Sequence, residues 1–206
     1  MSKITTIPFA GFYNSIWSYG IDRTEEMYLE NLEQEDGVEI KASSDAIWKA
    51  ADYRAMYNYV ACKYVDYFND YIKDEFDLAL DLKFESMQSP REYNFETDRI
   101  FCYISDENLR KLRSFVAEDE LRLAIKTRFT SRSGFISSYP NNLDDWSPDP
   151  TTWDHNEIGT LFVALLGEGG DWEWSIYERM YEEFDRAFDS GVDWAKFDEL
   201  LKEEAA

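Results

Sequence analysis

Apolar positions along this chain switch between helix-like and strand-like spacing. Ile47, Ala51, Met56, Val60, Tyr64, Phe68 and Ile72 recur at near-helical intervals behind Ser44, a good N-cap. A long helix is therefore expected over about 45–73. Leu78, Leu80, Leu82 and Phe84 alternate with other residues, which predicts a strand over about 78–87. Ser89-Pro90 breaks it, and residues 99–104 (Arg-Ile-Phe-Cys-Tyr-Ile) read as a second strand. Ser105 or Asp106 then caps a basic helical region over 107–130.

The flanking segments are more punctuated. Residues 4–18 read as irregular, with Pro8, Gly11 and Gly20 as breaks, and Asp22 opens a helix to about Gln34. Residues 134–153, with Pro140, Pro148 and Pro150, read as loop. Asp154-x-x-Glu157 has the form of a capping box for an apolar helix over 157–166. Ser175-x-x-Glu178 marks a further helix to about Asp189, and a last one is expected over about 193–203. The fold class expected is helix-rich α+β, with a small antiparallel sheet at about 78–104 and acidic surface helices. One domain spans 1–206, and 134–153 is the natural place for a division into an N-terminal α+β part and a C-terminal acidic helical part.

Composition narrows the functional classes. The chain of 206 residues has 43 Asp+Glu against 21 Lys+Arg, a net charge of −22, yet 17% of it is aromatic. Acidic disordered chains are poor in aromatics, so a folded protein is expected. A surface this negative repels phosphate backbones and anionic membranes, which argues against direct nucleic-acid or membrane binding. The longest apolar run, Leu161 to Leu166, is far short of the roughly 20 residues of a membrane span. The N-terminus has no long apolar segment of the secretory type. Cys62 and Cys102 carry no CxxC spacing, and a reduced, intracellular pair is the plain expectation.

The charge is uneven. Residues 1–60 and 61–100 each carry a net of −5, residues 101–135 carry +2, and residues 136–206 carry −14. Three runs place acids at helical spacing: Asp22, Glu26, Glu30 and Glu33; Asp66, Asp70, Asp74 and Asp77, extended by Asp81; and Glu178, Glu182, Asp185 and Asp189, with Glu183 alongside. Such neighbours lie about 5–6 Å apart on one helix face, where like charges each cost a few tenths of a kcal/mol. Solvated faces of amphipathic helices are one reading of these rows. The other is a polyanionic surface that presents carboxylates as a nucleic-acid strand presents phosphates.

In charge and row pattern the chain resembles the DNA-mimic inhibitors of phages and plasmids, the antirestriction and anti-CRISPR proteins. That group shares a strategy rather than one fold. The resemblance implies a non-enzymatic protein of the host-cell cytoplasm that blocks the nucleic-acid groove of a CRISPR effector or restriction enzyme. It implies no cofactor or metal, and a homodimer would lengthen the mimic. The three rows are the expected contact residues, joined by Trp172 and Trp174 from the aromatic cluster Trp146, Trp153, Trp172, Trp174 and Tyr177. An immunity protein or antitoxin against a basic toxin needs the same charge but a compact contact surface, with aromatic hot spots such as the tryptophans of this cluster rather than extended rows.

Catalytic signals are weak beside this. Glycines 167, 169 and 170 match no nucleotide-binding pattern, and His155 has no Ser or Cys placed to receive it. Asp144, Asp145, Asp149, Asp154 and Glu157 supply oxygens for a divalent cation, but turn chemistry around Pro148 and Pro150 explains them equally. Asp81-Leu-Lys83 and Glu39-Ile-Lys41 are short acid-x-Lys elements of the kind found in nucleases, and a carboxylate- or metal-dependent enzyme is the third reading. Arg110, Lys111, Arg113, Arg122, Lys126, Arg128 and Arg132 are expected to pair with the protein's own acids.

Overall fold

The computed structural model describes residues 3–8, 46–47, 49–85, 99–130, 142–167 and 171–204. The expected helix over 22–34, the cap at Ser44 and the expected helix start at Asp45 lie outside these residues. The fold is helix-rich α+β, with six α-helices and a three-stranded antiparallel sheet among the described residues. Contacts divide the chain into two units. The first comprises 1–10, 61–85 and 99–179, and the second comprises 11–60, 86–98 and 180–206.

The sheet belongs to the first unit. Strand β1 (Lys3–Pro8) and strand β2 (Lys83–Phe84) both pair antiparallel with β3 (Arg99–Ile104), giving the order β1-β3-β2. Strand β1 corrects the expectation of irregular structure from residue 4. Ile4-Thr-Thr-Ile7 lacks period-two alternation, but its four β-branched residues favour a pleated ribbon. Pro8 sits at the strand's end, where its missing N–H is tolerated.

The expected strand over 78–87 is also corrected: among its described residues, 78–85, only Lys83 and Phe84 pair as strand. Alternation identified the buried face correctly, since Leu78, Leu80 and Leu82 are all buried. Side-chain amides, however, bond the Leu82 backbone and the Leu80 carbonyl in place of a neighbouring strand. Asn69 accepts from the Leu82 N–H at 2.9 Å and donates to the Leu82 carbonyl at 2.8 Å, as a neighbouring strand would. Asn108 donates to the Leu80 carbonyl. Asp77, before Leu78, and Asp81, between Leu80 and Leu82, have φ of 51° and 49°, in the left-handed region.

Asn69 lies on α1 (Tyr53–Phe76), which starts later than expected. Residues 46, 47, 49 and 50 are helical, but Ala51 leaves the helix to bridge Val192, and Asp52 restarts it by accepting from the Ala55 N–H. The basic region over 107–130 is two helices rather than one, α2 (Asp106–Phe115) and α3 (Glu118–Thr130). Buried Val116 takes an extended conformation between them, and Glu120 accepts from the Ala117 N–H as the new cap. Ser105 caps α2 as expected.

Two 3₁₀ turns (Leu143–Asp145 and Pro150–Thr152), capped by Asn142 and Asp149, lead to α4 (His155–Leu166). The capping box at its start is complete: Asp154 accepts from the Asn156 and Glu157 N–H groups, and Glu157 accepts from the Asp154 N–H. Helix α4 packs on β1 and α3 and buries Ile158, Leu161 and Phe162. Helix α5 (Asp171–Gly191) starts a turn before Ser175, which is therefore an exposed interior residue and not a cap.

In the second unit, α6 (Trp194–Glu204) is capped by Asp193, and Phe184, Phe188 and Phe197 are core residues. The Asp52 N–H donates to the Gly191 carbonyl at 2.7 Å, and a Cβ on Gly191 would sit 2.1 Å from Met56 Cγ. Glycine is required there for close approach.

The amide of Asn69 generates a direct prediction. Asn69→Leu leaves a buried N–H and a buried carbonyl of Leu82 without partners, and each such group costs about 1–3 kcal/mol. Urea unfolding should show a loss of about 2–4 kcal/mol, whereas an unchanged midpoint would mean that Asn69 does not complete the sheet.

Candidate partner-binding surface

Helix α1 separates its residues by chemistry. Tyr64, Val65, Phe68 and Ile72 are buried in the first unit, while Asp66, Asp70 and Asp74 are exposed. The three acids follow one another at four-residue steps, each a rise of about 6 Å with a turn of about 40°. Glu75 is exposed beside them, and Asp77 and Asp81, past the helix end, are exposed as well. This is a row of carboxylates on a solvent face.

Its position opposes the helix dipole. The C-terminal end of a helix is partially negative, and an acid there costs about 0.3–1 kcal/mol at an exposed site. Helix α1 has no acid in its first turn, but Asp74 and Glu75 stand in its last, with Lys73 as the lone base there. Helices α2, α3 and α4 follow the opposite, favourable rule. Asp106 and Glu107 open α2, Glu118, Asp119 and Glu120 open α3, and Glu157 lies in the first turn of α4. Acidity in those helices supports folding; in α1 it works against it.

Compensation is also selective. Arg179 reaches Asp70 at 3.3 Å and lies over the Tyr67 ring. Among the described residues, Asp66, Asp74 and Asp77 have no ion-pair partner. The α5 row is more strongly offset: Arg186 pairs with Glu182 at 3.1 Å and with Glu183 at 2.8 Å. Glu178 and Asp189 are exposed and Asp185 is half-buried. Asp189 again stands near a C-terminus with no base in the last turn.

Glu183, alongside that row, is 3% exposed and also accepts from the Tyr59 hydroxyl at 2.6 Å. That hydrogen bond, then burial, raises the Tyr59 pKa. The charge of Glu183 is the first cause that raises the pKa of Arg186. Glu183 is a buried anchor within the second unit.

Other expected contacts change place. Trp172 is 3% exposed, with its ring 5.7 Å from Phe68, so it packs the first unit and is removed from the surface set. Trp146 and Trp153 are buried edge-to-face at 5.0 Å. Trp174 lies on α5, with its side chain outside the described residues, as is the whole row Asp22, Glu26, Glu30 and Glu33. Three of the expected bases pair with the protein's own acids, Lys111 with Glu107, Arg122 with Glu118 and Asp144, and Arg110 with Asp149, while Arg113 donates to the Val116 carbonyl. Asp149, Asp154 and Glu157 serve as helix or turn caps. Asp81 and Lys83 form an exposed ion pair at 3.6 Å.

No protein family, curated protein or solved structure matches this chain. No helix among the described residues is long and apolar enough to cross a membrane.

Sequence spacing alone found the α1 row but missed the Arg179 seat and the Tyr59–Glu183 bond. Both join residues more than one hundred positions apart.

The field along α1 is measurable without a partner. Cys62 is an exposed thiol whose pKa is raised by partial burial and then by the Asp66 carboxylate. Because the thiolate is the nucleophile, Asp66→Asn should lower that pKa and accelerate alkylation near pH 8. An unchanged rate would mean that the row exerts no field at Cys62. Cys102 is buried, which pushes its pKa far up, so it should stay silent in the native protein.

Asp74→Lys should raise unfolding stability by about 0.5–1.5 kcal/mol at low ionic strength, through the dipole and its row neighbours. The gain should shrink in about 1 M salt, where the Debye length is roughly 3 Å. A loss of stability at low salt would contradict the electrostatic account of α1.

Proposed function

We propose that this protein is a non-enzymatic inhibitor of the kind carried by phages or other mobile elements. In this reading its acidic helical face occupies the DNA- or RNA-binding groove of a host defence complex, a CRISPR effector or a restriction enzyme. The observation that supports it is the placement of the α1 acids. Asp66, Asp74 and Asp77 are exposed and unpaired among the described residues, and Asp74 and Glu75 oppose their own helix dipole. Rules of stability that hold locally in α2, α3 and α4 are broken there, and such breaks are expected at functional sites.

The mechanism is competition. Carboxylates of α1 engage Lys and Arg groups that would otherwise hold phosphates, and opposite net charge speeds the encounter. No bond is made or broken. The α5 acids, with Arg186 among them, form a weaker extension of the same chemistry.

An immunity protein against a basic toxin is the second reading. It relied on tryptophan anchors, and the burial of Trp146, Trp153 and Trp172 removes three of its candidates.

Affinity capture from a host lysate at low salt tests the proposal. The protein should retain a nucleic-acid-binding complex that added duplex DNA or RNA displaces. Reversing Asp66, Asp70 and Asp74 to Lys, in a variant shown to be folded by circular dichroism, should abolish retention. Retention by the reversed variant, or a captured complex indifferent to nucleic acid, would overturn mimicry.

A further inference from the structure

Two arginines on α5, Arg179 and Arg186, are held in different ways. Arg186 meets two carboxylates, Glu183 at 2.8 Å and Glu182 at 3.1 Å, and Glu183 is buried. Withdrawing Arg186 would leave a buried charge uncompensated, so it is fixed in place. Arg179 meets one carboxylate through one nitrogen. Its Nη2 donates to Asp70 Oδ2 at 3.3 Å, and its guanidinium carbon lies 4.3 Å from the centroid of the Tyr67 ring. The Arg179 and Asp70 side chains are 46% and 58% exposed. A single long hydrogen bond between solvated groups contributes little and is screened by salt. Another cation can therefore replace Arg179 at Asp70 without uncovering a buried charge.

The place of this contact gives it a consequence. Asp70 is the middle member of Asp66, Asp70 and Asp74, and the other two have no ion-pair partner among the described residues. Each lies about 6 Å along the helix from Asp70, inside the Debye length of about 8 Å at physiological salt. The guanidinium thus removes the central charge of the row and weakens the field at both neighbours. We propose that Arg179 is a displaceable guard on α1, a tethered counter-ion that holds Asp70 in the free protein and yields it to a partner's cations. This inference rests on the reading of α1 as a contact surface and adds its regulation. A tethered group competes at high effective concentration with a partner that offers one cation, and loses to one that engages Asp66, Asp70 and Asp74 together. The guard therefore selects for an extended basic surface.

The test uses octa-lysine as the probe of the full chain, at one fixed low salt concentration, with circular dichroism confirming that each variant is folded. Arg179→Ala and Arg179→Gln should each bind it about two- to fivefold more tightly than the wild type. Arg110→Ala removes an equal charge from the exposed pair with Asp149 and should give no comparable gain. Asp70→Asn should weaken binding more in the Arg179→Ala protein than in the wild type, because only there is Asp70 open to the probe. Unchanged affinity in both Arg179 variants, an equal gain from Arg110→Ala, or additive effects of Arg179→Ala and Asp70→Asn would overturn the guard. Asp66→Asn and Asp74→Asn report on the row itself. If both weaken binding while the Arg179 variants change nothing, the row stands without a guard. If neither does, the reading of α1 fails and the guard with it.

Discussion

Repulsion among carboxylates is the constraint that the rest of this molecule has to satisfy. A chain with a net charge of −22 favours expansion, and self-repulsion weakens any compact state it adopts. The opposing term is an aromatic-rich apolar core. In the first unit Tyr64, Phe68, Phe162 and Trp172 are buried, and in the second Phe184, Phe188 and Phe197. Edge-to-face contacts of Phe68 with Phe162 and Trp172 place rings at separations typical of favourable aromatic pairs.

Much of the acidity is organised so that it assists folding. Asp52, Asp149, Asp154 and Asp193 cap helices or turns, Glu120 and Glu157 accept from backbone N–H groups, and Glu183 is buried between Tyr59 and Arg186. The basic segment contributes further, because Arg122 bridges two acids and Lys111 a third. Among the described residues, exposed acids outside these uses include the row on α1 as well as Glu178 and Asp189. Among the described residues Asp66, Asp70 and Asp74 cap no helix, Asp74 opposes the helix dipole, and Asp70 is paired with Arg179.

Sequence reasoning read the fold class, the α1 core face, the capping box of α4 and strand β3, because each is written in local spacing. It misjudged features that depend on competition between partners. The backbone of Leu82 pairs with Asn69 rather than with a strand, so alternation gave the buried face but not the ladder. The β-branched run in β1 outweighed its lack of alternation. One basic helix became two because Val116 is buried in an extended conformation. For the candidate surface, spacing found the exposed acids Asp66, Asp70 and Asp74. It took Trp172 as an anchor, since a tryptophan beside acids looks alike whether it faces solvent or Phe68.

The central claim is that exposed α1 carboxylates stand in for phosphates. Its most direct measurement is the salt dependence of affinity for the nucleic-acid-binding complex the protein captures. Log affinity should fall steeply and linearly with log salt concentration. Neutralising Asp66, Asp70 and Asp74 to Asn should flatten that slope by about one unit per lost contact. A slope that the three substitutions leave unchanged would contradict the account.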